Sequence, residues 1–272
     1  MDRESPPSDG CWQVSVTFDD GFRDNLELGL PILAQHEIPM TWFVATDYVE
    51  NPERLPWWTM LAEAANRIRG PWAVDLEGKT YAYDLQYRSE TRRMRQELGE
   101  LFREATPSQQ EQLSETLRQR IDAEVELPPN GFARRDEIQE AAQSPWITLG
   151  GHTMSHPNLA KCTTSELEDE IGGNRKKLQA WSADPVNWFA YPFGRRAYWN
   201  EAVVQAVQAA GYRGAVTTIP GYVRQRTDRY RVPRLVVQPG WDLKTFQCRV
   251  LNAGLYRRAQ RVRRSIRARI QA

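Results

Sequence analysis

Val16-Thr17-Phe18-Asp19-Asp20-Gly21 is a short run of β-branched and aromatic residues that stops at two adjacent carboxylates and a glycine. With the polar and apolar alternation over 13–18, it predicts a first strand ending at the acids. Neighbouring side chains on a strand point to opposite faces, so both acids serve one site only if the chain turns there, as Gly21 allows. Asp-Asp-Gly alone is a common polar turn. Two like charges this close push one carboxyl upward unless a cation sits nearby, so a metal ligand beside a base is the functional reading.

Outward from this stretch the chain alternates strand and helix. Leu26, Leu30 and Leu33 give Asn25 to His36 a helical period, with Pro31 marking a kink or restart. Pro39 to Ala45 is a second strand, which makes a strand, helix, strand unit with a parallel connection. From Asn51 to about Asn130 charge and helix formers dominate with little strand character, which predicts a helical insertion. Met94, Leu98, Leu101, Phe102 and Ala105 mark one amphipathic helix there, and Leu113, Leu117, Ile121 and Val125 a second, with a stop and a fresh cap at Thr106-Pro107-Ser108. Leu55-Pro56-Trp57-Trp58 opens the insertion; packing within it is the plain reading of the tryptophans, and Trp57 is a candidate for substrate contact.

After Pro128-Pro129-Asn130-Gly131 the rhythm resumes. Helices are predicted over 133–143, 164–181 and 199–210, the second capped by Thr163 or Thr164, and strands over 146–150, 186–191, 214–218 and 230–237. The tail is basic: arginines at 257, 258, 261, 263, 264, 267 and 269 share an amphipathic pattern with Leu255, Ala259, Val262, Ile266 and Ile270. It reads as a terminal helix that either docks on the body or meets an anionic membrane surface or acidic partner.

Composition narrows the class. The 272 residues suit one large α/β domain, or one domain carrying an insertion, here divided into 1–254 and a basic helix at 255–272. Lys plus Arg total 36 against 35 for Asp plus Glu, so no global field steers the chain to nucleic acid. Cys11, Cys162 and Cys248 have no pairing or CxxC pattern, the amino terminus has no apolar signal core, and no run suits a membrane span. The expectation is a cytoplasmic protein, peripheral to the inner membrane face if the tail binds there. Ten tryptophans are many for this length, and core packing and platforms for sugar rings both account for them.

His152-Thr153-Met154-Ser155-His156 follows the strand at 146–150 and holds two of the three histidines. Four residues apart, in a turn approximating a helix, both imidazoles can reach one ion, and one aspartate completes a two-histidine, one-carboxylate set with positions left for water and substrate. His36, at a helix end, reads as structural.

Thr-Phe-Asp-Asp-Gly at 17–21, His-Thr-Met-Ser-His-Pro at 152–157 and Phe-Ala-Tyr-Pro-Phe-Gly at 189–194 resemble, in order, the first three motifs of the polysaccharide deacetylase (NodB homology) family of carbohydrate esterases. The likeness runs from about Gln13 to Val237, minus the insertion, in a branch with a Phe-Ala-Tyr-Pro form of motif three. It implies a distorted (β/α) barrel and a divalent metal, zinc above cobalt, nickel or manganese, that hydrolyses N-acetyl groups on amino sugars. It implies Asp19 as catalytic base, Asp20, His152 and His156 as metal ligands, the Phe193 backbone N–H as oxyanion donor, and Tyr191 and Pro192 as substrate-facing positions. Substrates implied are N-acetylated sugars or glycan precursors, and the basic tail would suit a lipid-linked substrate or a membrane-bound glycosyltransferase.

The departures are equally specific. The arginine that pairs with the base in many members aligns with Ala190, and no histidine follows His156 to protonate the leaving amine. Arg234 resembles an arginine of this branch; holding the base, binding substrate and forming a structural ion pair all stay open for it. Asp242 is a weaker candidate for proton transfer. A glycan- or partner-binding protein that keeps the metal site without turnover is the alternative.

Overall fold

A computed structural model describes residues 13–129 and 131–251; the basic tail, Cys11 and Asn130 lie outside the described residues. Five parallel strands curl into a half-barrel: β1 (Val16–Phe18), β2 (Met40–Val44), β5 (Ile147–Gly151), β6 (Trp188–Ala190) and β7 (Gly214–Val216), paired in that order. The sheet agrees with the α/β barrel class implied by the sequence. Parallel strands need crossovers, and most of these are helical. A π-helical turn, Asn25–Gly29, runs into α1 (Leu30–Gln35), with Pro31 in the first turn of α1, where a missing N–H costs least. The short α2 (Thr46–Glu50) leaves β2, and α6 (Arg135–Ala141) precedes β5. From 164 to 181 the chain is helical throughout as α7 (Thr164–Leu167), a π segment (Glu168–Gly173) and α8 (Asn174–Trp181). Thr163 caps it in a reciprocal box with Glu166. Crossover α9 (Glu201–Ala209) then leads to β7.

The barrel core joins Met40, Trp42 and Val44 of β2 to Leu149, Phe189 and Ala215 on the neighbouring strands, and to Leu167, Ile171, Leu178 and Val203 from the covering helices. A separate cluster lies between residues 55 and 121. There α3 (Trp57–Arg67), α4 (Arg88–Glu104) and α5 (Pro107–Asp122) pack on a two-stranded antiparallel sheet, β3 (Pro71–Leu76) and β4 (Lys79–Asp84). The two amphipathic helices and the Thr106 cap, closed as a box with Gln109, agree with the sequence reading. The hairpin corrects it. Glu77-Gly78 turns the chain with both residues at positive φ, and Trp72, Val74, Leu76 and Tyr83 point inward while Pro71, Asp75, Thr80 and Ala82 are exposed. That period-two signal is short and flanked by helix formers, so it is lost in a longer window.

The strand expected over 230–237 is also corrected. Val232 makes only an isolated parallel bridge to Val216, and Pro233 then removes the N–H that a further ladder bond would need. Beyond it, α10 (Leu243–Leu251) ends the described chain, and Asp242 accepts from the Thr245 N–H at its start. The carboxylate named as a candidate proton donor is thus an exposed helix cap. No described helix is long and apolar enough to cross a membrane.

Candidate metal centre

The site lies where the parallel strands end, the position at which open α/β sheets present their loops to ligands. After β1 the chain turns at once: Asp20 has φ 75° and Gly21 φ 103°. A side chain at 21 would also press on Val44 at the end of β2, its Cβ 3.0 Å from the valine Cγ1, which adds a tight contact to the backbone conformation that favours glycine there. This turn lets successive carboxylates address one cleft.

Asp20, His152 and His156 converge, with one ligand atom from each lying within 4.8 Å of the others. Asp20 Oδ1 lies 3.3 Å from His152 Nε2 and 3.6 Å from His156 Nε2. The His152 Nδ1 is 2.7 Å from the Ala190 carbonyl oxygen, which can only accept, so Nδ1 donates there and Nε2 is the nitrogen turned to the cleft. Burial and the adjacent His152 hold His156 down to about 4, neutral as a ligand must be. Burial opposes charge on His152 too, but the Asp20 contact and the Asp19 charge outweigh it and raise that imidazole. Two imidazole nitrogens and a carboxylate oxygen, buried or half-buried and close-set, fit a borderline divalent cation.

Asp19 faces a different partner. Arg234 donates from Nη1 to Oδ1 and from Nη2 to Oδ2, both at 2.7 Å, and also reaches Thr17 Oγ1 and the Thr217 carbonyl. Burial alone would raise the Asp19 carboxyl; the guanidinium overrides it and holds the group at about 2. Of the three alternatives open for Arg234, the geometry is that of a clamp on Asp19, reaching it from the far side of the sheet. Ala190, aligned with the family arginine, contributes its carbonyl to His152 instead.

Phe193 also has positive φ, 59°. Its carbonyl accepts from Thr218 Oγ1, while its N–H meets no acceptor among the described residues. Its ring packs edge-on to His156 at 4.7 Å and contacts Tyr198 at 4.9 Å. Pro192 is buried beside it. Tyr191 departs from the expected substrate-facing role: it is 1% exposed, stacks on Trp199 at 5.0 Å and donates its hydroxyl to the Tyr230 carbonyl. A side chain so enclosed, with its polar atom satisfied, has nothing to offer a ligand.

Trp57 is corrected by its packing. It stacks on Phe102 within the insertion cluster at 5.1 Å and is 5% exposed. Its neighbour Trp58 is half-buried and lies edge-on to His156 at 4.8 Å. Helical phase held the signal: Trp57, Met60, Leu61 and Ala64 form the buried stripe of α3, which rotates Trp58 by about 100° onto another face.

The family model described as "Polysaccharide deacetylase" matches residues 8–215. Among solved structures, the chain is similar to BA0330 from Bacillus anthracis, at 18% identity and TM-score 0.51, covering 86% of this chain and 49% of that one. BC0361, a polysaccharide deacetylase from Bacillus cereus, gives 19% identity and TM-score 0.50 with the same coverages. The Streptococcus pyogenes deacetylase PplD, solved in complex with acetate, gives 15% identity and TM-score 0.54, covering 86% of this chain and 68% of that one. The chain spans about half the length of the two Bacillus proteins.

Proposed function

This chain belongs to the polysaccharide deacetylase family, and on that premise we propose that it is a metal-dependent hydrolase removing N-acetyl groups from an N-acetylhexosamine in a saccharide or glycan precursor. The carrying observation is the division of labour at the end of β1: Asp20 turns to the two histidines while Asp19, one residue earlier, is held by Arg234.

Asp20, His152 and His156 would hold the divalent ion, zinc by the chemistry of the donor set, and the ion supplies Lewis-acid character that activates water and polarises the acetamide carbonyl. Asp19 is the base. Arg234 keeps its carboxylate ionised at neutral pH, ready to take one proton as water oxygen bonds to the carbonyl carbon. The Phe193 N–H, without a protein acceptor among the described residues, supports the oxyanion that develops there. When the carbon–nitrogen bond breaks, the leaving nitrogen needs a proton. No histidine follows His156, so we assign the return of that proton to Asp19 itself, which as a carboxyl held near 2 gives it up readily to an amine. The products are acetate and a free amino sugar. Trp58, half-buried beside His156, offers an apolar wall on the insertion side.

The missing late histidine favours the competing reading, a glycan-binding protein with a metal site and no turnover. Loading with zinc or cobalt and assaying acetate release from N-acetylglucosamine oligomers separates the two. Release by the unmodified protein, falling about 10²–10⁴-fold in Asp19→Asn with metal uptake retained, is the expected result. Uptake without release from any acetylated sugar sinks the hydrolase reading.

A further inference from the structure

The metal loop, residues 152–156, has no regular structure, and two of its non-glycine residues take left-handed backbone: Thr153 at φ 67° and His156 at φ 59°. Such conformations persist only where the surroundings over-determine them. The partners of the loop's backbone polar groups show what does so; on the α2 side the Asp47 N–H donates to the Met154 carbonyl at 2.9 Å and the Tyr48 hydroxyl to the Ser155 carbonyl at 3.0 Å.

The His152 N–H donates to the Val44 carbonyl and to Asn174 Oδ1, both at 3.2 Å. The Thr153 carbonyl accepts from the Thr46 N–H at 3.3 Å and from Asn174 Nδ2 at 2.6 Å. The Met154 and Ser155 N–H groups both donate to Glu170 Oε2 at 2.9 Å, and the Ser155 hydroxyl donates to Glu170 Oε1. The His156 N–H closes the loop on Thr153 Oγ1 at 2.9 Å. One carboxylate therefore takes three loop donors. One buried amide holds the loop's beginning and reaches Val44 and Thr46 as well.

Glu170 and Asn174 stand four apart on the continuous helical run 164–181, so both project from one face. The π segment that contains Glu170 ends at Gly173, immediately before Asn174. A Cβ at Gly173 would lie 2.8 Å from Met154 Sδ, so the loop sits directly against the helix backbone. π-bulges are often found at functional sites, where one inserted residue re-aims a helix face.

We propose that Glu170 and Asn174 are positioning residues of the metal centre: from the crossover helix they hold the loop 152–156 in its strained conformation and so set the spacing of His152 and His156. The proposal rests on the reading that Asp20, His152 and His156 hold a divalent metal. Neither residue touches the ligand atoms; both act through the backbone that carries them.

Glu170→Gln tests it. The variant keeps the size but offers one acceptor oxygen and a donor group where the carboxylate takes three donors. The measurement is the dissociation constant for cobalt(II), by calorimetry or by the visible absorption of the bound ion, at a temperature where the apo forms of both proteins are folded by circular dichroism. A rise of about 10–100-fold is expected, the size seen when groups supporting metal ligands are lost. A merely structural role lowers the apo melting temperature yet leaves the affinity of the folded protein within twofold, and that result overturns the proposal. If Glu170→Gln does not fold, Ser155→Ala removes only the hydroxyl contact. It is expected to weaken cobalt binding by roughly 3–10-fold, and unchanged affinity again overturns the proposal. Unmodified protein that takes up no cobalt overturns the metal reading and this proposal together, and is distinguished by appearing before any variant is made.

Discussion

Asp19 and Asp20 are chemically alike and adjacent in the chain, yet the fold gives them different partners. Position decides this. Asp19 still follows the line of β1 and meets a guanidinium, whereas Asp20, at φ 75°, swings to the imidazoles. Among the described residues, four of the six non-glycine residues at positive φ are Asp20, Thr153, His156 and Phe193, all at this centre. At about 1–3 kcal/mol each, such strain is held by tight local bonding, as the Glu170 and Asn174 contacts illustrate. The Arg234–Asp19 pair gives a pH signature in the stability of the apo protein. Asp19 is held at about 2, below its ordinary value, so its contribution to stability is present above the ordinary value near 3.8 and is lost as pH falls towards 2. Arg234→Met leaves a carboxylate without its partner, with an expected loss of about 3–5 kcal/mol at pH 7. In that variant burial raises Asp19, and its protonated form is the better tolerated. Chemical denaturation from pH 7 to pH 3 should therefore show the deficit shrinking with acidity; a constant deficit would mean that Arg234 stabilises the fold without acting through Asp19.

At the scale of elements, the insertion between α2 and β5 is a small packed unit that reaches the site through one edge. Its helices share a cluster with β3 and β4, and Asn158, just past the metal loop, donates to the Arg103 carbonyl at the end of α4. That seam places Trp58 against His156. Thr106 and Gln109 close α5 from both directions, each side chain bonding the other's backbone N–H. Thr106→Ala is expected to lower the unfolding free energy by about 1 kcal/mol in urea titration while leaving cobalt affinity unaltered. A change in affinity would mean that the seam transmits strain from α5 to the centre. The insertion also shows where periodicity fails as a guide. Its long helices are legible at Met94, Leu98 and Phe102, but the hairpin is two six-residue strands, too short to outweigh the helix formers around it.

Over the whole molecule, Arg234 ties the two ends of the sheet together. The open half-barrel begins at β1 and ends at β7; the arginine donates to Thr17 and Asp19 at the first and to the Thr217 carbonyl just beyond the second. The Val232 bridge to Val216 sets the segment that carries Arg234 beside β7. Asp20 on the β1 turn and the histidines beyond β5 are likewise joined only by the closed tertiary structure. A bound ion should thus stabilise the assembly as a unit. Divalent metal at about 100 times its dissociation constant is expected to add about 2.7 kcal/mol. This corresponds to a rise of roughly 5–10 °C in melting temperature for a chain of this size. Calorimetric scans with and without cobalt check this, and Asp20→Asn should abolish the rise.

The sequence by itself determined the parallel α/β class, the cap at Thr106 and the spacing of the two histidines, and it narrowed the second cap to Thr163 or Thr164. These depend on local period, on turn chemistry, and on residue types rare enough for their spacing to be informative: three histidines in the chain, two of them four apart. The rest depended on contacts between residues far apart in the chain. Arg234 meets Asp19 across 215 positions, and Asn174 meets Val44 across 130. No window of sequence spans such distances, and an arginine or asparagine at these positions has the same local propensities whichever partner it finds. The choice between Trp57 and Trp58 lay between these cases. Helical phase was enough to send Trp57 inward, but only packing of the insertion against the barrel could bring Trp58 to His156, because the face of a helix is set by its own period and the partner of that face by the fold.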